Sequence, residues 1–144
     1  MQRDRLAAAR LWLSNAETDL ELAREIAGRY ASRACFHAQQ SAEMALKGLL
    51  IALADDHPRT HIGDGLVREL EALGEVVPPG IIAAANRLDL YYTGSRYPDA
   101  LGGADPRKVL VSADALVAAD RAAEVVAFAA AAIDRVAGSS EPGP

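Results

Sequence analysis

The sequence of 144 residues has little of what several protein classes require. It holds one cysteine, Cys35, which excludes an internal disulfide and a metal site built from several cysteines. The longest apolar run, residues 125–133, is about half as long as a membrane-spanning helix must be. The N-terminal residues lack the apolar stretch of a signal peptide. We therefore expect a cytoplasmic protein without membrane contact.

Aromatic residues are also scarce, at 5%, whereas alanine supplies 31 residues. Because alanine is the best helix former and a weak strand former, this composition predicts an all-α fold. The length fits one domain, which we place at residues 1–137, followed by a disordered tail at 138–144. The formal net charge is −5, so any contact with nucleic acid must depend on a local patch of basic residues.

Apolar residues at helical spacing predict an up-and-down bundle of four long helices and one short one. The predicted helices cover residues 5–29, 31–54 and 64–73, then a fourth that begins at Pro79, and a last one over 112–137. Residues 55–65 form a polar connection. Residues 91–106 contain two prolines and three glycines and are predicted to be a loop. Residues 108–112 could form a brief extended segment, although we predict no sheet.

The second predicted helix has two different faces. Alanines at positions 34, 38, 42 and 45 form one of them and would let a neighbouring helix approach closely. A stripe of larger side chains forms the other: Arg33, His37, Gln40, Met44 and Lys47. Such a stripe is often solvated, but its mixture of glutamine, histidine and methionine, with Phe36 nearby, favours contact with another protein surface.

Residues 89–99, with the sequence DLYYTGSRYPD, contain three of the four tyrosines together with Arg96. A guanidinium group beside aromatic rings is suited to binding an anion. Two interpretations remain open, because the tyrosines could instead close the end of the bundle. Cys35 is expected to be a small core residue.

Histidines at positions 57 and 61 are too few to define a metal site, since Pro58 disfavours a helix that would place them on one face. We interpret His61 as packing the connection against a helix end. The sequence contains no phosphate-binding glycine loop, nucleophile elbow or paired carboxylates. We therefore predict no metal, no cofactor and no catalytic residue.

Several blocks of the sequence resemble HEPN-domain proteins, the higher eukaryotes and prokaryotes nucleotide-binding family. The second-helix block AQQSAEMALKGLL at residues 38–50 is similar to the family's second helix. Thr60-His61, followed by Leu66 and Leu70, resembles the family's entry to a short helix. The block RYPD at residues 96–99 resembles the motif before the final helix. The resemblance covers about residues 5–136.

The resemblance implies a helical bundle that forms a homodimer and pairs with a minimal nucleotidyltransferase in a toxin–antitoxin-like module. It also implies, for many members, a metal-independent ribonuclease whose arginine is followed by a histidine after four to six residues. This chain departs from that motif: three residues separate Arg33 from His37, and no histidine follows Arg87 or Arg96.

The hypothesis that follows is a non-catalytic HEPN module that binds a nucleotide or RNA phosphate. We predict that Arg96, Tyr97 and Asp99 form its binding site, with Lys47, His37 and His61 as further candidates. Two alternatives stay open. One is a ribonuclease that uses an atypically placed histidine, His37 or His61, with Arg96. The other is a purely structural dimeric bundle.

Overall fold

Helices account for nearly all of the computed structural model, which describes residues 2–54, 61, 62 and 65–140. Along the chain they are α1 (Gln2–Ile26), α2 (Ala31–Ala54), α3 (Leu66–Ala72), α4 (Pro79–Asp89), α5 (Tyr91–Gly94), α6 (Pro106–Val109) and α7 (Ser112–Ser140). A 3₁₀ turn, Pro98–Leu101, lies between α5 and α6. The described residues contain no strand. The predicted all-α bundle is thereby confirmed.

The three long helices, α1, α2 and α7, pack on one another, and α4 packs against α2 and α7. Their contact faces consist mainly of alanine, with leucine, isoleucine and valine filling the remaining space. Small side chains let the helices lie close together. At Gly48 of α2, an added Cβ would lie only 3.0 Å from the carbonyl oxygen of Ala9 and 3.3 Å from Cβ of Trp12. The backbones of α1 and α2 therefore approach each other closely at this point.

A tight turn joins α1 to α2. The backbone N–H groups of Arg29 and Tyr30 both donate to the carbonyl oxygen of Ile26, at 3.1 and 2.7 Å. α1 ends at Ile26, three residues before the predicted end, and these bonds close the turn that follows it. Because so few residues separate two helices that pack along their lengths, α1 and α2 form the antiparallel hairpin that the sequence predicts.

The predicted loop at residues 91–106 contains more regular structure than its composition suggested. It includes α5 and the 3₁₀ turn, and α6 begins at its last residue, Pro106. Asp105 caps α6, because its carboxylate accepts a bond of 3.0 Å from the N–H of Arg107. An aspartate followed by proline is an N-cap with a first helical residue, a local signal that composition overlooks. α6 includes Lys108 and Val109 and α7 begins at Ser112, so only Leu110 and Val111 lie between the helices where a brief extended segment was considered.

The last helix begins as predicted and ends later. Near its start, the carboxylate of Asp114 accepts a bond of 2.9 Å from the N–H of Val111, which satisfies a free donor at the helix N-terminus. α7 continues to Ser140, so the first three residues of the predicted tail are helical. Residues 141–144 lie outside the described residues, as does most of the predicted connection at 55–65, including His57 and Arg59. None of the described helices is long and apolar enough to cross a membrane.

Candidate functional site

Arg96 lies between aromatic rings at one end of the bundle. Its guanidinium carbon is 4.1 Å from the ring centre of Phe36, 4.9 Å from that of Tyr97 and 5.4 Å from that of Tyr92. Nε and Nη2 also donate to the carbonyl oxygen of Tyr92, at 3.2 and 2.7 Å. Within the described residues, the third nitrogen, Nη1, makes no hydrogen bond. The half-buried side chain is thus held in one orientation with one donor nitrogen left available.

A surface cleft of about 340 Å³ opens beside Arg96. We call it the Arg96 cleft; its lining includes Arg33 of α2, Arg96, Pro98, Asp105 and Arg107. Arg33 is anchored by a bond of 3.1 Å from its Nη1 to the carbonyl oxygen of Ser95. Three guanidinium groups and one carboxylate therefore line the cleft.

The carboxylate of the cleft, Asp105, is already paired. Nη2 of Arg107 lies 2.9 Å from its Oδ2, and Nε lies 3.2 Å from its Oδ1. These bonds lower the pKa of Asp105 and raise that of Arg107, since each charged form stabilises the other. With Asp105 paired to Arg107, Arg33 and Arg96 remain as positive groups without a carboxylate partner in the described residues.

A second polar cluster lies beside Tyr92. Oε1 of the buried Glu43 lies 2.8 Å from Nδ1 of His61, and its Oε2 lies 3.4 Å from Nζ of Lys47. The ring centre of His61 is 4.5 Å from that of Tyr92. This contact joins the ring of His61 to the buried carboxyl group of Glu43. Tyr92 therefore connects His61 to Arg96 through ring contacts.

His37 contacts both Phe36 and α1. Its Nδ1 is 3.2 Å from Oδ1 of Asp19 on α1, and its ring packs edge-on against Phe36 at 5.4 Å. The stripe predicted on α2 is thus partly covered within the chain. Arg33 is exposed, His37, Gln40 and Met44 are half-buried, and Lys47 is buried.

Comparison with known proteins agrees with this architecture. A family model described as the HEPN domain matches residues 9–136. The chain belongs to the HEPN-domain family. The resemblance inferred from the sequence blocks is confirmed.

Two solved structures are similar to this HEPN domain. TT1696 from Thermus thermophilus has 36% sequence identity and a TM-score of 0.76, over 86% of this chain and 97% of that chain. ST0689, an archaeal HEPN homologue, has 33% identity and a TM-score of 0.69, over 87% of this chain and 97% of that chain. No curated protein matches the chain.

Four of the six predicted site residues join one continuous row of contacts in this HEPN domain. Ring and guanidinium contacts link His37, Arg96, Tyr97 and His61 through Phe36 and Tyr92. Lys47 reaches the row only through Glu43. Asp99 is exposed in the 3₁₀ turn and does not line the Arg96 cleft. Their assignment to a binding site stays a prediction.

Sequence reasoning did not select Glu43 or Arg107. The spacing of Glu43 and Lys47, four residues apart on a helix, was a usable signal for an ion pair. No sequence spacing relates Arg107 to Arg33 and Arg96, because they meet only when α6 folds beside α2.

Cys35, predicted to be a core residue, is fully buried, and burial together with the carboxylate of Asp114 raises its pKa to about 12. A thiol with so high a pKa is a poor nucleophile, because the thiolate is the reactive form.

Proposed function

We propose that this HEPN domain binds the phosphate group of a nucleotide or an RNA strand in the Arg96 cleft, without cleaving it. One observation supports this most directly. The guanidinium of Arg96 is fixed by three aromatic rings and a carbonyl oxygen, while Nη1 makes no hydrogen bond in the described chain. An arginine held in this way loses little side-chain entropy when it binds an anion.

The surroundings of Arg96 favour an anionic ligand. Arg33 and Arg107 line the same cleft, and Asp105, the carboxylate in its lining, is paired with Arg107. Charge-assisted bonds from arginine to phosphate are short and about twice as strong as bonds between neutral groups. The formal net charge is −5, so the positive cleft is a local exception on an acidic protein. The attraction for an anion therefore depends on these few residues.

The sequence around Arg96 supports binding without cleavage. Cleaving RNA without a metal needs a group that moves the proton of the 2′-hydroxyl and a cation that stabilises the phosphate. Arg96 can serve the second role. The chain has no histidine after His61, so the arginine–histidine spacing that the family resemblance implies for ribonucleases does not occur here.

Calorimetric titration with ATP tests the proposal. We expect the wild type to bind, and Arg96→Ala to weaken the affinity roughly tenfold or more, since a hydrogen bond to a charged group contributes about 1.5–3 kcal/mol. Arg121→Ala is the matched control, because Arg121 forms an ion pair with Glu124 on α7 and does not line the cleft. A thermal melt of each variant separates lost binding from lost folding. Equal affinity for the wild type and Arg96→Ala would support the purely structural bundle instead.

The proposal extends to partners, on the strength of the family resemblance. We propose that the domain forms a homodimer and pairs with a minimal nucleotidyltransferase, as in toxin–antitoxin-like modules. Light scattering after gel filtration measures the first, and co-purification with a nucleotidyltransferase encoded beside this chain measures the second. A monomer at all concentrations, or separate elution of the two proteins, would contradict the respective part.

The contact between His61 and Glu43 favours one alternative, a ribonuclease. With Nδ1 of His61 in contact with Glu43, Nε2 is the ring nitrogen that would serve as a general base. Incubation of a labelled RNA with the wild type, His61→Ala and His37→Ala distinguishes the two functions. Cleavage that is lost in His61→Ala alone would support the ribonuclease, whereas no cleavage by the wild type supports the binding function.

A further inference from the structure

The chain contains two arginine–tyrosine dipeptides, and in both the arginine packs on the tyrosine ring that follows it. Arg29-Tyr30 lies in the turn between α1 and α2, and Arg96-Tyr97 lies between α5 and the 3₁₀ turn. In each, the guanidinium lies over the ring of the tyrosine that follows, at 5.2 and 4.9 Å from the ring centre. Tyr30 is 51% exposed and Tyr97 is 52% exposed. Each pair therefore presents a cation and an aromatic surface to solvent.

A second cleft adjoins the Arg96 cleft. It has a volume of about 290 Å³, and its lining includes Arg29, Tyr30, Ser32, Arg33 and Arg107. We call it the Arg29 cleft. Arg33 and Arg107 line both clefts, so the two lie side by side, and we call the pair of clefts the groove. Arg29 and Tyr30 both line the Arg29 cleft. Of the second pair, Arg96 lines the Arg96 cleft and Tyr97 contacts its guanidinium.

The charge along the groove is strongly positive. Four guanidinium groups line it, and its carboxylate, Asp105, already binds Arg107. Arg29 contacts the ring of Tyr30 and forms no ion pair within the described residues. Like charges lined up in this way repel one another unless an anion lies between them, so the groove is suited to a ligand with more than one negative group.

We propose that the groove binds a single-stranded RNA segment across at least two successive nucleotides, with the Arg29 cleft as a second nucleotide site. This inference rests on the proposed function, which places one phosphate beside Arg96. Arginines that follow a backbone, interleaved with exposed aromatic rings for the bases, are the arrangement that single-stranded nucleic acid requires. In a duplex the bases are stacked on each other and could not reach Tyr30 and Tyr97.

Fluorescence anisotropy with a short labelled oligouridylate tests the second site, using the full chain. We expect Arg29→Ala to weaken binding of the oligonucleotide about tenfold and to reduce the salt dependence by roughly one released ion. The affinity for ATP should stay within about twofold of the wild type, because a single nucleotide occupies the Arg96 cleft. Arg121→Ala is again the control for loss of one exposed guanidinium.

Tyr30→Leu tests the base-stacking part separately. Loss of one stacking ring is expected to weaken oligonucleotide binding by about 1–3 kcal/mol, which is roughly five- to 150-fold, and to leave the salt dependence unchanged. Arg29→Lys keeps the charge and should retain the salt dependence. This pattern assigns the charge to position 29 and the stacking to position 30.

Several outcomes would overturn the inference. An oligonucleotide affinity unchanged in Arg29→Ala would exclude the second site while leaving ATP binding at Arg96 intact. ATP binding that falls equally in Arg29→Ala and Arg96→Ala would mean that one nucleotide spans both clefts. Competition by polyglutamate as effective as that by RNA would make the groove a site for acidic peptides. Absence of both ATP and oligonucleotide binding by the wild type would remove the proposed function as well.

Discussion

The two sides of α2 differ, because one belongs to the core of the bundle and the other to the groove. One side of α2 packs against α1 and α7 through alanines, and the other supports Arg96 through Phe36 and holds Arg33. The long-helix core, formed by the buried faces of α1, α2 and α7, is made of small apolar side chains. The groove is made of guanidinium groups and rings. Substitutions in the core should therefore change stability, and substitutions in the groove should change ligand affinity.

Glu43 does not fit this division between an apolar core and a charged groove, because it is a charged side chain buried beside the core. Glu43→Gln leaves the buried ammonium of Lys47 without a carboxylate and removes the anchor of His61. We expect a loss of about 3 kcal/mol in the free energy of unfolding, because removing one partner of a buried ion pair leaves the other uncompensated. Urea denaturation measures it.

The exposed pair of Arg121 and Glu124 supplies the control for Glu43. Glu124→Gln removes the same carboxylate from a surface ion pair, and we expect a change of about 0.5 kcal/mol or less. Similar losses in the two variants would show that the Glu43 cluster is solvated in solution and that its charges behave like those of the surface.

Substitution of Gly48 tests the close approach of α1 and α2 inside the core. A Cβ at this position would meet the carbonyl oxygen of Ala9 and the side chain of Trp12, so Gly48→Leu must push α1 and α2 apart. We expect a loss of about 2 kcal/mol in the free energy of unfolding. Gly138→Leu on α7 is the control, since nothing lies within 4 Å of an added Cβ there. An unchanged unfolding midpoint in Gly48→Leu would contradict the close packing.

Cys35 gives an effect that does not change at neutral pH and varies only under alkaline conditions. Burial, followed by the nearby carboxylate of Asp114, raises its pKa from 9.0 to about 12. The folded protein therefore favours the neutral thiol. The contribution of the neutral Cys35 thiol to stability is fully present below pH 9.0 and is lost as the pH rises towards 12.

A comparison of the wild type with Cys35→Ala isolates this contribution from other groups that titrate at high pH. The difference between their unfolding free energies should change by about 1.4 kcal/mol for each pH unit in this window. Chemical denaturation at several alkaline pH values measures the difference. A constant difference would mean that the thiol is accessible to water in the folded state.

Much of the fold could be predicted from the sequence. The bounds of α2 and the start of α4 at Pro79 agree with the prediction, because long periodic helices and an N-terminal proline are strong local signals. The predicted end of α1 was three residues too late. Gly28 suggested a stop near that position, whereas the turn after α1 is closed by bonds to the carbonyl oxygen of Ile26. α6 was missed because a composition rich in glycine and proline outweighed the Asp105-Pro106 cap.

The site could be predicted only in part. Arg96 and Tyr97 were selected because they are neighbours in a short segment with several tyrosines. Asp99 was selected for the same reason. Both Tyr97 and Asp99 are exposed and neither lines the Arg96 cleft, but the ring of Tyr97 contacts Arg96. Arg29 and Arg107 were not selected, because nothing in their spacing relates them to Arg96.

The amino-acid sequence was sufficient for the helical class, the order of the long helices and the family, since alanine content and apolar periodicity are local properties of the chain. Which charges share a surface depends instead on how the helices pack. Packing α1 against α2 places Arg29 and Arg33 at one end of the bundle, and the folding of α6 beside α2 adds Arg107. Electrostatic fields depend on distances through space, and in this protein helix packing sets those distances between residues far apart in sequence.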